Sequence, residues 1–240
     1  MQSLDVQRVG VNRYGADFVV LDQIGVQGAA FSTTTYNGGT LGLSTYDTNA
    51  ATAAPDYQRA DFLRTYDNFT SGVAGITKNF SWVGGREDLA FPDPGNNFRI
   101  SIYADAAGAP TPYTSDGGVP AQFNNTPLQT FTVAATSSNF TNDYKLYSAD
   151  ASFNFAAGTQ YWVSIMNEQN YDTFAGWGLA YSGIGDVLSV QDDGEDLLTQ
   201  PTRFTDGVDF SMKITAVPEP SSAMLGLVGL GLIGFRRRRA

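Results

Sequence analysis

The side chains in this 240-residue chain that could do chemistry are carboxylates and aromatics. Asp192-Asp193-Gly194-Glu195-Asp196 places four carboxylates in five positions. Oxygen ligands at that density suit calcium, although the spacing is not that of an EF-hand. A solvated acidic turn is the competing reading. Trp162 alternates with Tyr161, Val163 and Ile165, so in a strand it faces the other way, with Ser164 and Met166. An exposed ring there would be a flat platform for stacking on a sugar, and Tyr103 is a second such candidate. The alternative is that both rings pack in an interior. Glycoside hydrolysis needs two carboxylates about 5–10 Å apart across a cleft, and no pair in this acidic chain stands out.

Two residue types are missing. The chain has no histidine and no cysteine. That removes Ser-His-Asp and Cys-His nucleophilic sites, zinc sites of the His/Cys kind, and disulfides. Fourteen basic residues face 24 acidic ones, for a net charge of −10. Four of the basic residues but only one acidic residue lie in the last 23, so the remainder carries a net −13. Such a field repels nucleic acid and anionic surfaces. Nucleic acid is therefore excluded as a partner, and no cofactor is called for beyond the calcium considered above.

The C-terminus has three parts in a fixed order: Pro218-Glu219-Pro220, an uncharged run from Ala223 to Phe235, and Arg236-Arg237-Arg238-Arg239 before Ala240. The run holds Leu225, Leu227, Leu230, Leu232 and Ile233, with four glycines between the apolar residues. As a helix it spans roughly 20 Å, short of a hydrocarbon core of about 30 Å. Ser221 and Ser222 can extend it, and snorkelling arginines lengthen its reach. Arg236, Arg237, Arg238 and Arg239 then fix the C-terminus on the cytoplasmic side. The prolines lack N–H donors and bias Val217 and Glu219 to extended conformations. This predicts that 217–220 leaves the last strand as a short accessible linker.

This tail resembles the PEP-CTERM sorting signal of bacterial exported proteins. The resemblance rests on Val217-Pro218-Glu219-Pro220, on the Ala223–Phe235 run and on the closing arginines. It implies an exosortase-type membrane enzyme as partner, the inner membrane as a waypoint, and removal of the tail near Pro218–Pro220. Phe98–Pro110 (FRISIYADAAGAP), Tyr161–Asn167 (YWVSIMN) and Asp206–Pro220 resemble a recurring ectodomain of such proteins. That likeness implies an extracellular β-sandwich with no assigned catalysis. Here Thr111–Ala121 is inserted after the Gly-Ala-Pro turn.

The elements ahead of the tail read as strands. Asp17–Leu21 is a candidate first strand, and Gly25–Ala54 reads as loop with short strands. From Arg59 to Ala216 the pattern alternates with period 2. Ile76, Phe80 and Trp82 are expected on one face, with Gly84-Gly85 ending that strand. Phe98, Ile100 and Ile102 alternate with polar neighbours. Further strands are expected at 128–133, 144–147, 151–155, 160–166, 173–181, 187–190 and 208–215. Trp82 is expected in the core, and Trp177 beside Leu179 and Tyr181. Short strands punctuated by Gly, Asn, Asp and Pro predict an all-β antiparallel sandwich, jelly-roll-like, followed by one short C-terminal transmembrane helix.

The domain reading is therefore an uncertain segment 1–30, a β-sandwich ectodomain 31–217 and a sorting signal 218–240. Met1–Arg8 shows no basic start followed by an apolar stretch. An export signal is thus missing, or the start is misassigned. The functional expectation is a non-catalytic exported protein of the cell envelope or extracellular matrix. A carbohydrate-binding module for extracellular polysaccharide is the alternative, and a His-free glycan hydrolase or lyase the second.

Overall fold

Period-2 alternation governs the computed structural model of the chain, which describes residues 17–24, 41–47, 62–86, 93, 95–106, 108, 110, 127–140, 144–169, 177–182, 188–192, 202–203 and 209–219. These residues form strands and no helix. In chain order the strands are β1 (Phe18–Asp22), β2 (Leu41–Leu43), β3 (Thr45–Asp47), β4 (Phe62–Thr70), β5 (Gly75–Arg86), β6 (Asn97–Ala104), β7 (Gln129–Ala134), β8 (Thr136–Asn139), β9 (Lys145–Asp150), β10 (Asn154–Phe155), β11 (Gln160–Gln169), β12 (Trp177–Ala180), β13 (Val190–Asp192), β14 (Thr202–Arg203) and β15 (Met212–Pro218). The expected transmembrane helix, the 1–16 start and the Thr111–Ala121 insertion lie outside the described residues.

The strands form two sheets. β5 is the spine of the first. One of its edges pairs with β15 and, further along, with β12; the other pairs with β9 and β10. β1 lies beyond β15, β2 beyond β12 and β8 beyond β9. β11 is the spine of the second sheet. β6 and then β7 lie on one side of it; β4 and β3 lie on the other, with β13 and β14 beyond β4. All these pairings are antiparallel except β3 with β11.

One apolar cluster joins the inner faces of the two sheets. Phe80, Trp82, Tyr147, Trp177 and Ile214 enter it from the first sheet; Phe69, Phe98, Ile100, Val163 and Ile165 enter from the second. Phe98 is its keystone. Its ring stands edge-on to Trp82 at 4.9 Å, to Tyr147 at 4.8 Å and to Trp177 at 5.0 Å, while Trp82 and Tyr147 stack. Edge-to-face geometry sets the positive rim of one ring against the negative face of another, which adds to the gain from burial. Trp82 and Trp177 are thus core residues, as their alternation predicts, and Tyr181 packs against the same cluster.

A buried carboxylate also spans the layers. Asp67, on β4, accepts the Asn68 and Phe210 N–H groups, both at 2.8 Å. With its amide turned to donate, the Gln23 nitrogen reaches the Phe210-bonded oxygen at 3.0 Å. Backbone donors compensate the desolvation of the charge and tie the second sheet to the segments that flank β1 and β15.

Three local expectations are corrected. Gly84-Gly85 does not end β5, which continues to Arg86. A Cβ on Gly84 would stand 2.2 Å from the Trp177 ring and 2.6 Å from the Gly178 carbonyl oxygen. The glycine is there so that Trp177 can lie against β5, not as a turn residue. Ile76 does not share the Phe80 face. The β5–β15 register shifts as Thr215 pairs with Asn79 and Ala216 with Thr77, passing over Lys78. This bulge puts Thr77 in the interior and leaves Ile76 half-buried. Of the expected 151–155 strand, only Asn154–Phe155 pairs regularly. The Thr77 hydroxyl donates to the Ala151 carbonyl at 2.7 Å and accepts the Phe153 N–H at 2.8 Å, so a side chain interrupts the ladder.

Candidate functional site

β15 carries the chain to its C-terminal signal. Met212, Ile214 and Ala216 are buried and alternate with half-buried Lys213, Thr215 and Val217. The strand does not stop at the first proline. Val217 pairs with Ile76 and Pro218 with Gly75, and the Glu219 N–H points to the Ala74 carbonyl at 3.3 Å. The expectation that 217–220 leaves the sheet is therefore corrected for Val217, Pro218 and Glu219; Pro220 lies outside the described residues. The physical reason is that a proline fixed near φ −65° fits the end of a strand as well as a linker, and at the last position it deprives the ladder of no donor.

Gly75 makes this docking possible, and nothing in the local sequence marks it. A Cβ there would stand 2.7 Å from the Val217 carbonyl oxygen and 2.9 Å from the Phe155 ring. Only a glycine lets the end of β15 lie so close. Beyond Ala216, β1 gives β15 no further pairing, so the last residues are held along the β5 edge alone. Glu219 is exposed. With the Glu219 N–H directed into the sheet and no N–H on Pro218, this end of β15 offers outward chiefly the Glu219 carboxylate.

The other edge of β15 is closed by β1, and ion pairs flank that closure. Lys78 meets Asp17 at 2.6 Å and Lys213 meets Asp22 at 2.9 Å. The hydrogen bond that Lys78 donates to Asp17, and then the Asp17 charge, hold the Lys78 ammonium above the ordinary lysine range.

The geometry is thus a folded β domain whose last strand runs directly into the start of the C-terminal signal. The family described as the PEP-CTERM protein-sorting motif matches residues 216–240. The chain ends in a PEP-CTERM sorting motif. The match begins at Ala216, inside β15, so the PEP-CTERM segment and the sheet overlap by the residues whose docking is described above. A PEP-CTERM signal implies an exported protein that is anchored at its C-terminus and then processed through an exosortase. No curated protein matches the chain.

The remaining candidate residues are dispersed. Trp162 and Tyr103 do come together on the outer face of the second sheet, in register across β11 and β6 and beside Tyr66. Neither is an exposed platform. Trp162 is 0% and Tyr103 1% accessible, Tyr66 stands edge-on to Tyr103 at 5.3 Å, and the Trp162 indole N–H donates to Asp105 at 2.8 Å. The reading of these two rings as sugar-stacking residues is corrected on that ground. Alternation told which way Trp162 faces but not that its side of the sheet is covered. Asp105 also accepts the Gly108 N–H, which bears out the turn expected after β6. Asp192 lies on β13, paired with Arg64. Asp193, Glu195 and Asp196 lie outside the described residues, and so do Ala223, Leu225, Leu227, Leu230, Leu232, Ile233, Phe235 and the arginine run. Among the described residues no group of three or more metal-ligating side chains converges.

Proposed function

We propose that the chain is a non-catalytic, cofactor-free protein of the bacterial envelope or extracellular matrix, delivered as a jelly-roll-like β-sandwich on a disposable membrane tail. The tail begins as a helix at Ser221 and crosses with Arg236–Arg239 on the cytoplasmic side. An exosortase-type enzyme cuts near Pro218–Pro220 and frees residues up to that point. The observation that carries this reading is the direct continuation of β15 into the PEP-CTERM motif at 216–240. A domain fixed to its signal without a spacer is delivered to the outward face of the inner membrane with its last strand at the plane where a bilayer-embedded enzyme works. The burial of Trp162 and Tyr103 takes away the feature that favoured a carbohydrate-binding module.

The test is to replace Pro218, Glu219 and Pro220 together by alanine in a host that makes exosortase, then to fractionate the cells. The expected result is full-length precursor retained in the membrane, with the ectodomain folded. If the variant is trimmed and released like the wild type, the motif has no part in its fate.

A further inference from the structure

The sheet and the sorting motif make use of the same backbone. Val217 and Pro218 pair with Ile76 and Gly75 in the β5 ladder, and the Glu219 N–H donates to the Ala74 carbonyl at 3.3 Å. A protein that takes a peptide as an extended strand holds it through main-chain N–H and C=O groups. At the end of β15 those groups face β5 instead.

Three features make residues 217–219 a unit that opens by itself. The β5–β15 register shifts between Thr215 and Ala216, passing over Lys78, so the terminal pairs are set apart from the Met212–Thr215 ladder. Among the described residues, β1 pairs with β15 no further than Phe18 with Ala216, so the strand on the other edge stops at the same level. Beyond that level the contact is made over Gly75, which has Pro218 on one edge of β5 and Phe155 on the other. A Cβ at Gly75 would stand 2.7 Å from the Val217 carbonyl oxygen and 2.9 Å from the Phe155 ring. The grip on the motif is thus a close backbone approach that a side chain at residue 75 would loosen.

We infer that this docking is a latch on tail removal. The processing enzyme acts on chains in which 217–219 has lifted from Gly75 and Ala74, with the bulge at Lys78 as the hinge. The inference rests on the reading that an exosortase-type enzyme cuts near Pro218–Pro220, and it adds what sets the rate of that cut. Local openings need far less free energy than global unfolding, and where they are fast against cleavage the cut follows the population of the open form. The two-sheet core, to which Ala216 belongs but Val217 does not, stays closed while the last three residues lift. The fold of the ectodomain thereby sets how long the chain stays on its membrane tail.

A reversible lock tests the latch. Ile76 and Val217 are directly opposite and both half-buried, and the chain has no cysteine. Cα atoms of opposite residues in an antiparallel pair are about 4.5–5.5 Å apart, within the reach of a disulfide. Full-length chain carrying Ile76→Cys and Val217→Cys is incubated, oxidised or reduced, with membranes that contain exosortase, and intact mass follows the loss of the tail. Wild type and the Gly75→Ala chain are run beside it. The oxidised double variant should be trimmed at least about tenfold more slowly than the same chain reduced. Gly75→Ala, with its β-type circular dichroism unchanged, should be trimmed about fivefold faster than wild type or more. Each arm decides without the other, so a variant that fails to fold or to be recognised leaves the second to judge. Equal trimming of the oxidised and reduced chains, or a folded Gly75→Ala chain trimmed no faster than wild type, overturns the latch and leaves the cleavage in place. A wild-type chain that keeps its tail in these membranes overturns the cleavage reading and the latch with it.

Discussion

β15 and β7 are strands of similar length, seven and six residues, placed in opposite situations. β15 lies inside its sheet, with β5 on one edge, β1 on the other and ion pairs around β1. β7 has β6 on one edge and, among the described residues, no strand on the other. The strand that continues into the sorting motif is therefore paired on both edges as far as Ala216, whereas β7 ends its sheet among the described residues. Protection around β15 keeps the tail junction in one register while the domain is tethered.

The largest effect should come from the core that both sides share. Phe98→Ala removes the ring that touches Trp82, Tyr147 and Trp177, and should cost about 3–5 kcal/mol in urea unfolding. Hydrogen exchange should rise on the β15 and β7 sides together. A rise confined to one side would show that the two sheets do not depend on a common core.

Alkali should loosen both sides in a separable way. Burial pushes the Tyr147 hydroxyl up to about 12, and the Tyr181 hydroxyl likewise. The folded state thus holds these protons more tightly than the unfolded chain, whose phenols titrate near 10. Their contribution is complete below pH 10 and is lost as pH rises through 12, at most about 3 kcal/mol for the well-buried Tyr147. Tyr147 is on β9, next to β8, while Tyr181 bridges to Phe210 ahead of β15. Tyr147→Phe and Tyr181→Phe should each flatten part of the decline in stability between pH 10 and 12. A decline unchanged in both variants would assign it to other groups.

Gly75→Ala acts on the β15 side alone. The added methyl meets the Val217 carbonyl and the Phe155 ring, so about 1–3 kcal/mol should be lost. Exchange should rise at the Val217 and Glu219 amides while β7 is unaffected. Equal protection at Glu219 in both proteins would mean that the motif is not docked. The smallest effect belongs to the surface: Asp22→Asn breaks the ion pair with Lys213 and should cost no more than about 1 kcal/mol.

The sequence made some of this architecture readable and not the rest, for physical reasons. Alternation along Phe98–Ile102 and Tyr161–Ile165 depends only on neighbours in the chain, so strand identity and inward faces were legible there. The order of motif, apolar run and arginines was legible for the same reason. Contacts between distant segments were not. Gly84 looks like a turn residue until Trp177 is seen against it, and nothing marks Gly75 until Val217 is seen against it. The bulge at Lys78 reverses the faces of Ile76 and Thr77, because register is set by the partner strand. Asp67 looked like any acidic residue, although it is buried and bonded to a backbone N–H well over a hundred residues away. Trp162 pointed where alternation placed it, but the packing of Tyr66 and Tyr103 around it belongs to the folded sheet.

The central claim is that a folded β domain is delivered on a tail that is then cut from it at the end of its last strand. Intact-mass measurement of the protein recovered from an exosortase-containing host tests this most directly. The account predicts a species that ends near Pro218–Pro220 and lacks the Ala223–Phe235 run and Arg236–Arg239. Recovery of full-length chain alone would contradict it and would make the C-terminal segment a permanent anchor.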